Sequence, residues 1–248
     1  DLLKVIYEHC YDVALTGISL RFGEEDQRYF LSFYDKFIEN NEAPNGKLLE
    51  IGCYDGSILR ELKDRYQIEV YGCEPGNTIT DEARRELNVA RGYFDAESFS
   101  YVQFEQILSR HVIEHISDLD SFIRNISEKL AIGGLLTIET PNGEYYLEQG
   151  SIAAFSPEHL SVFTKESLVL LLKNFGYRIA CIDDSSRNLI VFAYKESSIN
   201  SGQTLGALQS ACIHRLEDFK SNFDSKLKID TDFFRLIKQE KKKVAAWG

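Results

Sequence analysis

The sequence predicts a doubly wound α/β domain on a mostly parallel sheet, and three observations predict it. Short β-rich runs alternate with helical stretches from Lys47 onward. The first run ends in a glycine-containing turn that feeds directly into a helix, as a strand-to-helix ligand loop does. The last two runs, RIACIDD and NLIVFAYK, are joined by the short turn SSR, which suggests an antiparallel edge.

Taken in order, residues 1–46 read as an N-terminal helical cap. Tyr29, Phe30, Phe33, Tyr34 and Phe37 recur at helical spacing, and the breaker cluster NEAPNG ends the segment. Residues 47–195 form the main domain. KLLEIG, IEVYGCE, QILS and GLLTIET read as strands, and SILRELKDRY, TDEARREL and LDSFIRNISEKL as the helices between them. The stretch PNGEYYLEQGSIAAFSPEHL is too long for an ordinary connection and is rich in aromatic and polar residues, which marks it as a functional loop. The helix KESLVLLLKNFGY and the two final strands complete the sheet. After the linker SSINSGQTLG, residues 196–248 read as a helical C-terminal extension.

The 248 residues, 44% of them hydrophobic, suffice for one buried core with an appendage. No run approaches the roughly 18 apolar residues of a membrane helix, and the first residues lack the order of a signal peptide. The expectation is a soluble, cytoplasmic protein without membrane insertion. Five scattered cysteines without a CxxC pair suggest neither a disulfide framework nor a zinc ribbon, and no residue set is assigned to a metal. A formal charge of −11 opposes binding to nucleic acid phosphates. The expected partner is a small-molecule acceptor, with a homodimer compatible with the sequence. The absence of methionine, an initiator included, suggests that the sequence omits residues.

The strongest motif is LLEIGCYDG, residues 48–56. Gly52 and Gly56 allow a tight turn and let a ligand lie against the backbone. The form E-x-G-x-x-D-G lacks the third glycine of a dinucleotide loop, so a cofactor without phosphates fits better than NAD. Glu74, about 20 residues past the turn and followed by Pro75, stands where a carboxylate accepts both hydroxyls of a ribose.

With these motifs, residues 47–195 resemble the class I S-adenosylmethionine (SAM) dependent methyltransferases. The resemblance implies a Rossmann-like sheet of seven strands with an antiparallel last strand, SAM as cofactor and S-adenosylhomocysteine as its product. It implies that Glu50 orders the turn and the methionine amino group, and that Gly52, Cys53, Tyr54, Asp55 and Gly56 line the cofactor. Glu74 and Pro75 would then meet the ribose, Asp95 and Ala96 of GYFDAES the adenine, and Ser109 and Arg110 the cofactor from the fourth strand. Tyr54 stands where the family frequently has a glycine.

The reaction site has two candidate stretches. LSRHVIEHISDLDSF, residues 108–122, ends the fourth strand and resembles the VLEHxxD stretch of small-molecule members of the family, placing His111 near the methyl group. His115 reads as an internally packed histidine, and Glu114 is left unassigned. SPEHLSVFTKESLVLLLKNFGY, residues 156–177, resembles the HLxxFTxxSLxxLL signature of sugar and small-molecule methyltransferases. That likeness makes His159 the leading general base, with Glu158 orienting it and His111 second. Ser156 and Pro157 replace the Tyr and first His of sugar C-methyltransferases, which shifts the expectation from carbon to oxygen, with nitrogen as an alternative. The expected acceptor is a hydroxyl of a sugar or surface-polysaccharide precursor. The competing readings are a SAM-binding regulatory module without transfer activity and an NAD-dependent oxidoreductase.

Overall fold

A computed structural model describes residues 17–41, 45–151 and 159–196, with side chains from residue 23 onward. Glu158, Ser156, Pro157 and the expected C-terminal extension, apart from Glu196, lie outside the described residues.

Seven strands form one sheet in the order β3-β2-β1-β4-β5-β7-β6. They are β1 (Leu48–Ile51), β2 (Val70–Glu74), β3 (Val89–Arg91), β4 (Phe104–Arg110), β5 (Leu130–Pro141), β6 (Tyr177–Asp183) and β7 (Asn188–Lys195). Strands β1 to β5 pair in parallel, and β7 runs antiparallel to both β5 and β6. The chain winds outward from β1 through β2 to β3, then returns to the other side of β1 for β4 and β5. The C-terminal ends of β1 and β4 therefore flank the point where the strand order reverses, the place where open α/β sheets bind ligands.

Helices cover both faces, which is why β1 reads as an uninterrupted apolar run broken only by Glu50. One face carries α4 (Leu119–Lys129) and α6 (Lys165–Asn174), whose Ile123, Ile126, Leu168 and Leu172 pack with Leu49, Ile107, Leu136 and Val191. The other carries α1 (Gly17–Asn40), α2 (Ser57–Tyr66) and α3 (Asp81–Glu86). There Phe30, Tyr34 and Phe37 of α1 meet Leu48, Leu108, Leu135 and Phe192. The Phe37 and Phe192 rings stack 4.1 Å apart, and the Tyr34 hydroxyl donates to Gln106 of β4.

The helix that the sequence places ahead of the first strand thus lies on the sheet. Its polar side is fastened as well: Arg187, in the β6–β7 turn, donates through Nη2 to both carboxylate oxygens of Asp26 at 2.7 Å. Two elements escaped the sequence reading. Strand β3 has only three residues, too few for a visible period. Helix α5 (Gly143–Glu148) sits inside the aromatic loop, started by Asn142, whose side chain accepts the Glu144 and Tyr145 amides. Among the described residues no helix is long and apolar enough to cross a membrane.

Because Phe30 is wholly buried under the sheet and lies 4.4 Å beneath the Arg110 guanidinium, Phe30→Ala should lower the unfolding free energy by about 3–5 kcal/mol. Urea denaturation of the two proteins reads the difference, and a loss near zero would show that α1 is not part of the core.

Candidate active site at the carboxyl ends of β1 and β4

The turn after β1 is held in a conformation that selects its residues. Gly52, Tyr54 and Gly56 all have positive φ, at 73°, 50° and 78°. A Cβ on Gly52 would stand 2.5 Å from Val112 Cγ2, so glycine there is required by space as well as by backbone angle. Tyr54 occupies a left-handed position that a glycine would occupy without strain.

The second strand delivers its carboxylate to this turn. Glu74 Oε2 accepts the Tyr54 amide at 2.9 Å and Oε1 accepts the Gly76 amide at 2.6 Å. These bonds orient the carboxylate at the turn, as a ribose ligand requires. Arg84 of α3, a residue the sequence reading did not single out, is buried and donates to the carbonyls of Glu74, Gly76 and Ala90. It fixes the loop that carries Glu74, and burial lowers its pKa.

Glu50 is the charged residue inside β1. It is 2% exposed, its Oε2 has no hydrogen-bond partner, and burial pushes its carboxyl up to about 8, with Arg110 only partly opposing. A buried carboxylate without a partner is costly, so the group stays protonated at neutral pH or awaits a donor. Ser109 of β4 is fully buried with an equally unpartnered hydroxyl. Two orphaned polar atoms beside a glycine turn fit a cofactor with an amino acid portion and a ribose.

The remaining cofactor candidates fall in different places. Asp55 caps the start of α2 by accepting the Ser57 amide at 3.0 Å. The Cys53 thiol faces the core near Gly72, and burial raises its pKa, so only its backbone is offered to a ligand. Pro75 is half-buried beside Glu74, while Asp95 and Ala96 follow β3 on the surface. Asp95 Oδ1 accepts the amides of Glu97 and Ser98. Arg110 turns toward β5, where its Nε donates to Glu139 Oε2 at 2.6 Å, and Asn188 donates to the other oxygen at 2.9 Å.

Directly after β4 the chain makes a strained corner at His111, whose φ is 52°. Its amide donates to the Glu139 carbonyl at 2.8 Å. The ring, 39% exposed, lies with Nδ1 3.5 Å from Glu114 Oε1 and Nε2 3.8 Å from Glu139 Oε1. Burial alone would lower the imidazole pKa, but the Glu114 and Glu139 carboxylates outweigh it and hold it above the ordinary value. Glu114 belongs to a short 3₁₀ turn, Ile113–His115, and is 1% exposed. Burial would raise its pKa, yet His111 and His115 together bring it below the usual carboxylate range.

His159 returns to the same place from the far end of the loop. Its ring meets His115 edge to face, 4.9 Å between centroids. Two backbone bonds hold the incoming chain, Ser161 to the Glu114 carbonyl at 3.0 Å and Gly143 to the Phe163 carbonyl at 2.8 Å. The structure therefore gathers His111, Glu114, His115 and His159, which the sequence presented as two separate stretches. The signal was in the spacing: His111, Glu114 and His115 are i, i+3 and i+4 across one turn.

A methyltransferase-domain family model matches residues 22–182, which takes in the chain as far as β6 and every group just described except Asn188. The chain belongs to the class I SAM-dependent methyltransferases. Ubiquinone biosynthesis O-methyltransferases from Chelativorans sp. and Sinorhizobium fredii are similar to it. The first is 33% identical over 103 residues, the second 29% over 121. These alignments cover 39% and 46% of this chain and 40% and 48% of the relatives, so the chain spans less than half the length of the curated proteins it matches. Among solved structures, magnesium protoporphyrin IX methyltransferase from Synechocystis with bound S-adenosylhomocysteine shares the fold. Its TM-score is 0.57 at 13% identity, covering 79% of this chain and 98% of that one. A SAM-dependent methyltransferase from Archaeoglobus fulgidus gives 0.54 at 17% identity, covering 68% and 94%.

The Glu50 environment fixes a pH dependence of this methyltransferase's stability. An unfolded glutamate titrates near ~4.3, and the folded one at about 8. Between these values the folded chain keeps a proton that the unfolded chain has released, so stability declines as pH rises through the window. Glu50→Gln removes that decline. The excess in melting temperature of the variant over wild type should widen from pH 5 to 8 and level off above, whereas a gap independent of pH would contradict the buried neutral carboxyl.

Proposed function

We propose that this chain transfers the methyl group of SAM to a hydroxyl of a small polar acceptor, with His111 as the general base. The observation that carries the reading is the histidine and carboxylate cluster at the end of β4, adjacent to the strand that bears Glu50. SAM supplies an electrophilic methyl group on a sulfonium. Methyl transfer is an in-line displacement, so the protein's tasks are to align the acceptor oxygen and to take its proton.

The residues divide those tasks. Glu50 receives the amino group of the cofactor's methionine portion, and Glu74, already oriented by the Tyr54 and Gly76 amides, receives the ribose hydroxyls. Backbone at Gly52 and Gly56 leaves room for the cofactor along the turn. His111 stands next in sequence after β4, 39% exposed, with Nδ1 facing Glu114 and Nε2 facing Glu139. That placement moves the leading base assignment from His159 to His111. His159, by its contact with His115, becomes part of the wall facing it.

For the acceptor, the likeness of residues 156–177 to the sugar methyltransferase signature supports a sugar or surface-polysaccharide precursor. A second reading, a hydroxylated precursor in ubiquinone biosynthesis, is supported by the names of the relatives. Both readings place the methyl group on oxygen.

With methyl-labelled SAM, pools of nucleotide sugars and of hydroxylated aromatic acceptors should yield label on oxygen in one pool, read by mass spectrometry. His111→Gln should keep SAM affinity within about threefold while turnover falls by roughly 10² to 10⁴, the worth of a positioned general base. SAM binding without label in any pool would favour a regulatory module, and full turnover by the variant would remove His111 from the mechanism.

A further inference from the structure

We propose that Glu114, His115 and His159 form a binding site for a divalent transition-metal cation of the zinc class, and that the cation holds the acceptor hydroxyl during methyl transfer. The second part rests on the function proposed above, whereas the first stands on the geometry alone.

One carboxylate oxygen and one imidazole nitrogen from each histidine lie within 4.8 Å of one another, and His115 Nε2 is 3.9 Å from Glu114 Oε1. A four-coordinate zinc with bonds of about 2.0–2.2 Å spaces its donors roughly 3.4 Å apart. With the donors within 4.8 Å of one another, a closure of up to ~1.4 Å would bring the three to that spacing. Two imidazoles and a carboxylate are a donor set that selects zinc-like ions over magnesium or calcium, and three protein ligands leave an open coordination position for a substrate oxygen.

An independent observation points the same way. Glu114 is 1% exposed, yet its Oε1 accepts no hydrogen bond. Its Oε2 accepts the buried Thr140 hydroxyl at 3.0 Å, which fixes the carboxylate and aims Oε1 toward the histidines. Such an outer hydrogen bond is what orients a metal-ligating carboxylate. The backbone bond from Ser161 to the Glu114 carbonyl also ties the segment bearing His159 to the turn bearing the other two ligands. His111, 3.5 Å from the same Oε1, stands where it can take the proton of a hydroxyl bound to the cation. Methyl transfer then proceeds with the O–H bond broken to His111, the new C–O bond formed and the sulfonium converted to a thioether.

The test uses the full chain, stripped with a chelator and titrated with Co²⁺ as the probe, followed by its visible absorption and by equilibrium dialysis. The proposal expects one Co²⁺ per chain, displaced by Zn²⁺. Glu114→Gln, His115→Ala and His159→Ala should each weaken binding on the order of 100-fold or more, and Thr140→Val by about 10- to 100-fold. SAM affinity in each variant verifies the fold, and His159→Ala, in a half-buried loop position, serves if the Glu114 change fails to fold. No stoichiometric Co²⁺ binding, or binding indifferent to all three ligand changes, overturns the site.

Turnover separates the two claims. Metal-free protein that methylates a hydroxyl at the full rate overturns the role of the cation and leaves the methyltransferase reading intact. Stoichiometric, ligand-dependent Co²⁺ binding without methylation of any hydroxyl acceptor supports the site and overturns the acceptor reading.

Discussion

Three carboxylates buried at the carboxyl ends of adjacent strands are the constraint on which the arrangement of this protein depends. Glu50 on β1, Glu139 on β5 and Glu114 just past β4 are each 2% exposed or less. Burying an ionised carboxylate is unfavourable by several kcal/mol unless donors or cations surround it. Each acid is met differently. Glu139 has Arg110 and Asn188, a pair of strong bonds that locks β4 to β5 and β7. Glu114 has Thr140 and two histidines. Glu50 keeps an oxygen without a partner. The compensation is complete at Glu139 and incomplete where the strand order reverses, the place where open α/β sheets bind ligands. Arg110 over the Phe30 ring extends the same layer to α1, so the N-terminal helix roofs the charged end of the sheet as well as its apolar face.

Much of the fold was readable because its signals are local. The glycine turn after β1, the alternation of strands and helices and the short β6–β7 turn each act within about ten residues, and each element predicted between Lys47 and Lys195 is present. Strand β3 and helix α5 were not readable for the same reason: three and six residues carry too little period to stand out. The candidate cofactor side drew attention in the sequence through Glu50 and Glu74, whose proposed roles follow from their distance to the turn. Arg84 was invisible, since an arginine in a short amphipathic helix looks solvated until its three carbonyl acceptors are brought around it by the fold.

The acceptor side needed the third dimension. His111 and His159 are 48 positions apart in sequence, and the bridge of Asn142 with Phe163, the bond from Ser161 to Glu114 and the contact of His115 with His159 bring their segments together. His115 read as a packing residue because a half-buried histidine usually is one. Its ring does pack on His159, and the same packing leaves one nitrogen of each ring within 4.8 Å of a Glu114 carboxylate oxygen. In the proposed cation site, the contact that packs the loop would also set the donor geometry.

Under the proposed function, Glu50 is a neutral buried acid that ionises against the cationic end of SAM. Calorimetric titration of SAM into the protein at pH 6.5, in two buffers with different ionisation enthalpies, measures the protons exchanged on binding. With the folded carboxyl at about 8, binding should release close to one proton per SAM, seen as an apparent enthalpy that differs between the buffers in proportion to their ionisation enthalpies. Identical enthalpies in both buffers would mean that Glu50 does not change charge when the cofactor binds, and would contradict its assignment as the receiving group.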